Sequence, residues 1–228
     1  MTEAEFRVLA QDSIRHQMGA EISKHSTQSP ASLPGRAGVV SISYTDGMRT
    51  VPEIYNLMHT FLDNGIDVYV VSAGFEPLVE AIASSPDYAY NVPADKVFGL
   101  RLEQDPNGAY LPEYKKDYPF TYGSGKPELI YKEISGKHEG RDPVFVAGDS
   151  GSDIGNFTEL PGMELGVIVN YLATGELGKI SKEAANAIET DNTRFVLQGV
   201  DENIGVWQPT EKTRRVGAKE AVLTNPKA

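Results

Sequence analysis

"VFVAGDSGSD", residues 144–153, sets an apolar run against two aspartates four positions apart. The run has the length and composition of a strand covered on both faces. Asp149 falls where that strand ends, and Gly151-Ser152 lets the chain turn into a helix that carries Asp153. Carboxylates brought together at a strand mouth repel one another unless a cation lies between them. Hard oxygen ligands suit Mg²⁺, which takes one or two carboxylates and keeps several waters. The plainer reading is an aspartate that caps the next helix, and the stretch by itself leaves both readings open.

Working outward, "GVVSISY" (38–44) alternates as a strand does. Residues 52–64 place Ile54, Leu57, Met58, Phe61 and Leu62 on one helical face, with Pro52 suited to the first turn and Asn64-Gly65 to the stop. "IDVYVVSAG" (66–74) is a buried-strand run, and "FEPLVEAIA" (75–83) opens the next helix. "KVFGLRLEQ" (96–104) runs into the turn "DPNG" (105–108), so the chain doubles back as a hairpin. "KPELIYKEISGK" (126–137), "DIGNFTEL" (153–160) and residues 181–190 are expected to be helical, and "ELGVIVNY" (164–171) to be a strand. Strands alternating with helices mean an α/β fold built on a doubly wound, mostly parallel sheet with helices on both faces.

At the amino end, Phe6, Ala10, Ile14, Met18 and Ile22 recur every four positions, which makes residues 3–24 a helix. "KHSTQSPASLPGRAG" (24–38) reads as a loop and as the clearest boundary in the chain. The charged tail beyond about residue 208 reads as loosely held.

The bulk numbers exclude several function classes. The 228 residues can bury one good core. A formal charge of −11 lacks the basic face that a phosphate-backbone binder needs, so no nucleic-acid role is expected. There is no cysteine, which removes disulfides, thiolate metal sites and a cysteine nucleophile. No run approaches the length of a membrane span, and no leader peptide is legible at the start. His16, His25, His59 and His138 show no metal-ligand spacing.

In doubly wound sheets the ligand site lies beyond the carboxyl ends of the strands. Three features of this sequence fall there: Ser72 after "VYVV", Lys126 in "GSGK", and the Asp149–Asp153 pair. The Ser72 hydroxyl, with the N–H groups of Ala73 and Gly74, could hold phosphate oxygens at a helix N-terminus, or Ser72 is an ordinary cap. Lys126 opens a helix, where the dipole disfavours a cation unless an anion shares the site; otherwise it is a solvated surface lysine.

"VYVVSAG", "GSGKPELI" and "VFVAGDSGSD", in that order, resemble the second, third and fourth motifs of the haloacid dehalogenase-like (HAD) phosphatase superfamily. The hairpin before the lysine matches the phosphoserine phosphatase-like branch. "GMRTVPEIYNLMHTFLDNGIDVYVVSAG" and "TRFVLQGVDENIGVWQPT" look like the phosphorylcholine phosphatase group. The resemblance implies a Mg²⁺-dependent phosphomonoesterase acting on a small phosphorylated metabolite, with phosphocholine the leading candidate. Ser72 would hydrogen-bond a phosphoryl oxygen and Lys126 would neutralise charge. Asp149 would bind the metal, and Asp153 would hold a metal-bound water or the lysine. Ser152 stands where relatives often place Asn, on the substrate side. It also implies that residues 1–45 are a partial helical cap segment and 46–228 the α/β core. A periplasmic or secreted protein is compatible with it, and the residues leave the compartment open.

The family's first motif, an Asp-x-Asp pair, occurs nowhere in this sequence. One member of that pair attacks phosphorus to form an aspartyl-phosphate, and the other works as general acid and base. In "SISYTDGMRT", Tyr44 and Asp46 would stand at those places, yet the segment aligns better with the end of the cap. The expectation is therefore a chain without the amino-terminal portion that carries the motif, and inactive alone. Either "GVVSISY" fills the central strand position, or a second polypeptide or the missing segment does. The alternative is a non-catalytic protein of the same fold that holds metal and phosphate without cleavage, a pseudophosphatase.

Overall fold

The computed structural model describes residues 1–191 and 194–225. Helix α1 (Glu3–Gly19) opens on a capping box, the Thr2 N–H donating to Glu5 Oε2 at 2.8 Å. Strands β1 (Ser23–Gln28) and β2 (Ser41–Asp46) follow, then α2 (Pro52–Asp63), β3 (Val70–Phe75), α3 (Glu76–Ala83) and β4 (Val97–Leu100). Strands β5 (Leu102–Gln104) and β6 (Tyr110–Tyr114) form the hairpin expected around "DPNG". Helix α4 (Gly125–Leu129) runs on through a π-turn to Ile134. Then come β7 (Phe145–Gly148), α5 (Ile154–Thr158), β8 (Leu165–Val169), α6 (Gly175–Asn186) and β9 (Phe195–Gln198). The short strands β10 (Val200–Asp201), β11 (Val206–Trp207), β12 (Thr213–Arg214) and β13 (Ala221–Val222) close the chain.

The architecture is α/β and mostly parallel, as the alternation requires, yet the parallel sheet is in two pieces. β3 pairs in parallel with β4, Val70 opposite Val97 and Val71 opposite Phe98. β7, β8 and β9 form the other piece, in parallel register from Phe145 opposite Leu165 to Val169 opposite Gln198. Neither β3 nor β7 has a second strand neighbour among the described residues, and both border the same cavity. One core, with Phe98, Leu129, Phe157, Ile168 and Leu177 at its centre, spans both pieces.

This division accounts for a burial pattern that sequence reading did not anticipate. "VYVVSAG" reads as fully covered, but all six residues of β3 are only half-buried, because one edge has no neighbour. Ala147, in mid-strand on β7, is exposed. Helix α2 is amphipathic as expected, yet none of its residues is fully buried.

"GVVSISY" does not fill the gap. Its strand, β2, pairs antiparallel with β1 in a two-stranded ribbon, Ser23 opposite Asp46 and Gln28 opposite Ser41. Part of the segment read as a loop, residues 24–28, is thus in the partner strand, since polar residues can form a ribbon with two wet faces. Helix α1 ends at Gly19, shorter than expected, and Ala10 and Ile14 pack it on Ala81 and Tyr88. The tail is held rather than loose: Thr213 and Arg214 pair with Val222 and Ala221, and the buried Asp201 binds Arg214 at 2.7 Å. Helix α6 begins at Gly175, six residues ahead of expectation.

Hydrogen exchange checks the division. Amides of β8, paired on both sides, are expected to exchange slowest, and the outward amides of β3 and β7 orders of magnitude faster. Uniform protection across β3, β7 and β8 would contradict it.

Candidate active site

The strand ladders stop one residue short of the chemistry. Gly148 pairs with Ile168, and Asp149 emerges just past that rung. In β3 the register breaks between Val71 and Phe75, lifting Ser72–Gly74 away from β4. A cavity of about 490 Å³ opens at this end of the two sheet pieces. Its wall includes Ser72, Ala73, Gly74, Lys126, Asp149, Ser152 and Asp153, the seven residues singled out from sequence. Residues separated by up to 81 positions in the chain therefore share one space.

Lys126 is 3% exposed, and its Nζ meets Asp153 Oδ1 at 2.5 Å. It is a buried cation on a committed partner and not a surface lysine. The other oxygen of Asp153, Oδ2, accepts the N–H groups of Asp149 at 2.9 Å and Ser150 at 3.0 Å. Gly148 makes this possible, because a Cβ there would stand 2.6 Å from that of Asp153. Both oxygens of Asp153 are thus already engaged within the protein. Of its two expected roles, holding the lysine is the one the geometry serves.

Asp149 is placed differently. Asp149 is exposed where it lines the cavity, while protein crowds its inner side. Burial, and then the neighbouring Asp153 charge, push its carboxyl above the ordinary range, partly offset by Lys126. A divalent cation would relieve that penalty, and a single free carboxylate fits the Mg²⁺ habit of few protein ligands and several waters. No group of three or more His, Asp or Glu side chains is placed to hold a metal among the described residues.

Ser72 is no helix cap, since α3 starts at Glu76 with Phe75 at its cap position. Its Oγ accepts the Gly74 N–H at 3.0 Å, so that N–H is turned to the serine and is not free for an anion. Ser152 Oγ lies 2.7 Å from Ser150 Oγ at the cavity edge. Arg101 is held by Glu76 at 2.9 Å and covers the Tyr118 ring. Tyr44 stacks on His25 and Asp46 accepts from Gln17; neither lines the cavity.

Sequence reading missed the loop that joins these parts. The fully buried Thr121 donates through Oγ1 to the Ser72 carbonyl at 2.7 Å. Two residues on, the Gly123 N–H donates to the Ser152 carbonyl at 2.9 Å. Residues 121–126 thus touch Ser72, the 149–153 turn and Asp153 in succession. Tyr171, which follows β8, also lines the cavity, its hydroxyl pushed up by burial and by Asp149 and Glu202. Nothing local marks either residue, because both act through contacts distant in the chain.

A family model for haloacid dehalogenase-like hydrolases matches residues 33–156. The chain belongs to that family. It is similar to phosphorylcholine phosphatase from Pseudomonas aeruginosa PAO1, 31% identical over 120 residues, 43% of this chain and 33% of that protein. It is also similar to human phosphoserine phosphatase, 27% identical over 53% of this chain and 51% of that one. A solved structure, a conserved functionally unknown protein from Anaerococcus prevotii DSM 20548, superposes with a TM-score of 0.85 at 29% identity, covering 94% of this chain and 55% of that one. The chain spans a third to about half the length of these relatives.

Two predictions test the electrostatics. Lys126→Met leaves the Asp153 carboxylate buried without its cation and is expected to cost about 3–5 kcal/mol, read by urea denaturation. Asp149→Asn has the opposite sign. A carboxyl raised in the folded state weakens the fold as pH climbs through its folded pKa. The metal-free variant should therefore exceed wild-type stability at pH 7, the gain vanishing as pH falls below about 3.9, the ordinary Asp pKa.

Proposed function

We propose that this cavity is the phosphoryl site of a Mg²⁺-dependent phosphomonoesterase for small phosphorylated metabolites. The observation that carries the reading is the convergence of Ser72, Lys126 and Asp149 on one wall system beyond the strand ends. Phosphoryl transfer asks a protein mainly for positioning and charge stabilisation. Ser72 Oγ offers its hydroxyl proton to a phosphoryl oxygen. Lys126, fixed by Asp153, supplies positive charge beside the transferring group. Asp149 would hold Mg²⁺, whose chemistry is to neutralise phosphoryl oxygens. Ser152, with the Ala73 N–H, is assigned to the substrate side.

In this reading residues 46–228 are the α/β core and residues 1–45 belong to a cap. The attacking carboxylate is absent from the 228 residues, which contain no Asp-x-Asp. The free edges of β3 and β7 on the cavity favour its arrival on an added strand seated between them, from a longer polypeptide or from a second one. Phosphocholine is the substrate suggested by the Pseudomonas relative. Tyr171 and Trp207 line the cavity and offer faces to a trimethylammonium.

The same absence of a nucleophile supports a second reading, in which this chain binds metal and phosphate without cleaving. Both readings expect the purified chain to leave p-nitrophenyl phosphate intact while binding Mn²⁺ and inorganic phosphate together, with Asp149→Asn abolishing the Mn²⁺. Turnover by the wild-type chain that Asp149→Asn removes would refute the missing nucleophile. Failure to bind either ion would refute both readings. Turnover gained on adding a peptide that carries an apolar strand and Asp-x-Asp would decide for the enzyme.

A further inference from the structure

A second cavity, about 390 Å³, adjoins the first and shares Val51 and Tyr171 with it as a common wall. Its character is different. Two arginines, Arg49 and Arg215, and one acid, Glu202, are the charged residues that line it. The local balance is cationic in a chain whose net charge is −11. Nothing in its local sequence marks Arg49; the fold gives it a particular setting.

Both arginines are held in place. Arg49 Nη1 donates to the carbonyls of Met48 at 2.7 Å and Met18 at 3.2 Å, and Nη2 to Ala20 at 2.9 Å. Its side chain lies against Gly205, where a Cβ would approach Arg49 Cβ to 2.8 Å and the backbone φ is +69°. Arg215 Nη1 donates to the Tyr171 carbonyl at 2.8 Å and to Glu202 Oε1 at 2.9 Å. Glu202 Oε2 accepts the Val216 N–H at 3.1 Å, so that carboxylate is already served by two donors. A guanidinium has five N–H donors. The bonds above use three on Arg49 and two on Arg215, so each retains donors on a side chain whose position is set. Preorganised, partly spent guanidiniums are suited to a planar anion, because the entropy of fixing them is already lost.

Tyr171 belongs to the lining of both spaces, its hydroxyl raised by burial and then by the Asp149 and Glu202 charges. Because the two spaces share Val51 and Tyr171, the second chamber lies next to the wall of the cavity that carries Asp149 and Lys126. We infer that this chamber is the leaving-group subsite and that it takes a carboxylate, so the substrate class is a phosphomonoester anionic at both ends. A trimethylammonium would face two guanidiniums there, with the chamber's one carboxylate already paired. The inference rests on the phosphoryl reading of the first cavity and sets this substrate class in place of the phosphocholine that the Pseudomonas relative suggests.

The test uses the 228-residue chain and binding, not turnover. Malonate, a carboxylate without phosphate, is followed at the arginine Nε–H NMR signals. It is expected to shift those of Arg49 and Arg215 saturably, and absence of any shift overturns the chamber assignment whatever phosphate does. Inorganic phosphate with Mn²⁺ tests the first cavity separately, so failure there with a normal malonate response sinks the phosphoryl reading alone. With both intact, 2-phosphoglycolate should bind at least about tenfold more tightly than phosphocholine, the worth of one charge-assisted hydrogen bond. Arg215→Met should erase that preference and leave inorganic phosphate affinity unchanged. Glu202→Gln removes a like charge and should tighten malonate, a gain that loss of folding cannot mimic. Equal or tighter phosphocholine binding, or weaker malonate binding in Glu202→Gln, would overturn the inference.

Discussion

The arrangement depends on one buried ion pair and the loop that delivers it. Lys126 and Asp153 are each less than a tenth exposed and meet at 2.5 Å between the two pieces of the parallel sheet. Removing two charges from water is costly, and the cost is recovered only when geometry is good and the remaining hydrogen-bonding capacity is used. Here it is used: Asp153 takes two backbone N–H groups as well as the ammonium. Thr121 and Gly123 extend the connection by gripping the carbonyls of Ser72 and Ser152. Two half-sheets that share no strand pairing are thereby held in register at their functional end.

The same pair explains how two aspartates four residues apart acquire different chemistry. Asp153 sits with its charge fully answered, so it positions. Asp149 stands beside that charge, with burial acting on it too and no comparable set of donors. Identical side chains diverge because a single turn, with Gly148 permitting close approach, aims one inward and the other at the cavity. An unanswered carboxylate facing a space that also holds Ser72 is a natural place for a cation.

The open edges of β3 and β7 give that space its shape. A strand with a neighbour on each side has its backbone groups satisfied and both faces covered; with one neighbour it is half-wet, whatever its side chains. That is the state of Val70, Val71 and Ala147, and the unfilled apolar face of α2 belongs to the same situation. The charged residues that line the adjoining chamber, by contrast, find partners within the described chain. Its donors are set by the end of α1, the segment before α2, and the turns after β8 and β10.

Much of this was legible in the residues alone. The apolar pattern placed α2, β7 and β8, and the "DPNG" residues placed the turn after β5. The order of Ser72, Lys126 and Asp149 with their glycines located the cavity, because strand-end polar groups converge wherever parallel strands do. What the residues could not show was which edges pair. β1 looks like a loop and pairs; β3 looks fully buried and has a free edge; the charged tail looks loose and forms strands. Thr121, Tyr171 and Arg215 are ordinary in their local sequence and acquire meaning only from neighbours tens of positions away. Periodicity is a local property of the chain, whereas strand pairing and the environment of a charge are set by atoms brought together in folding, and only the tertiary structure decides those.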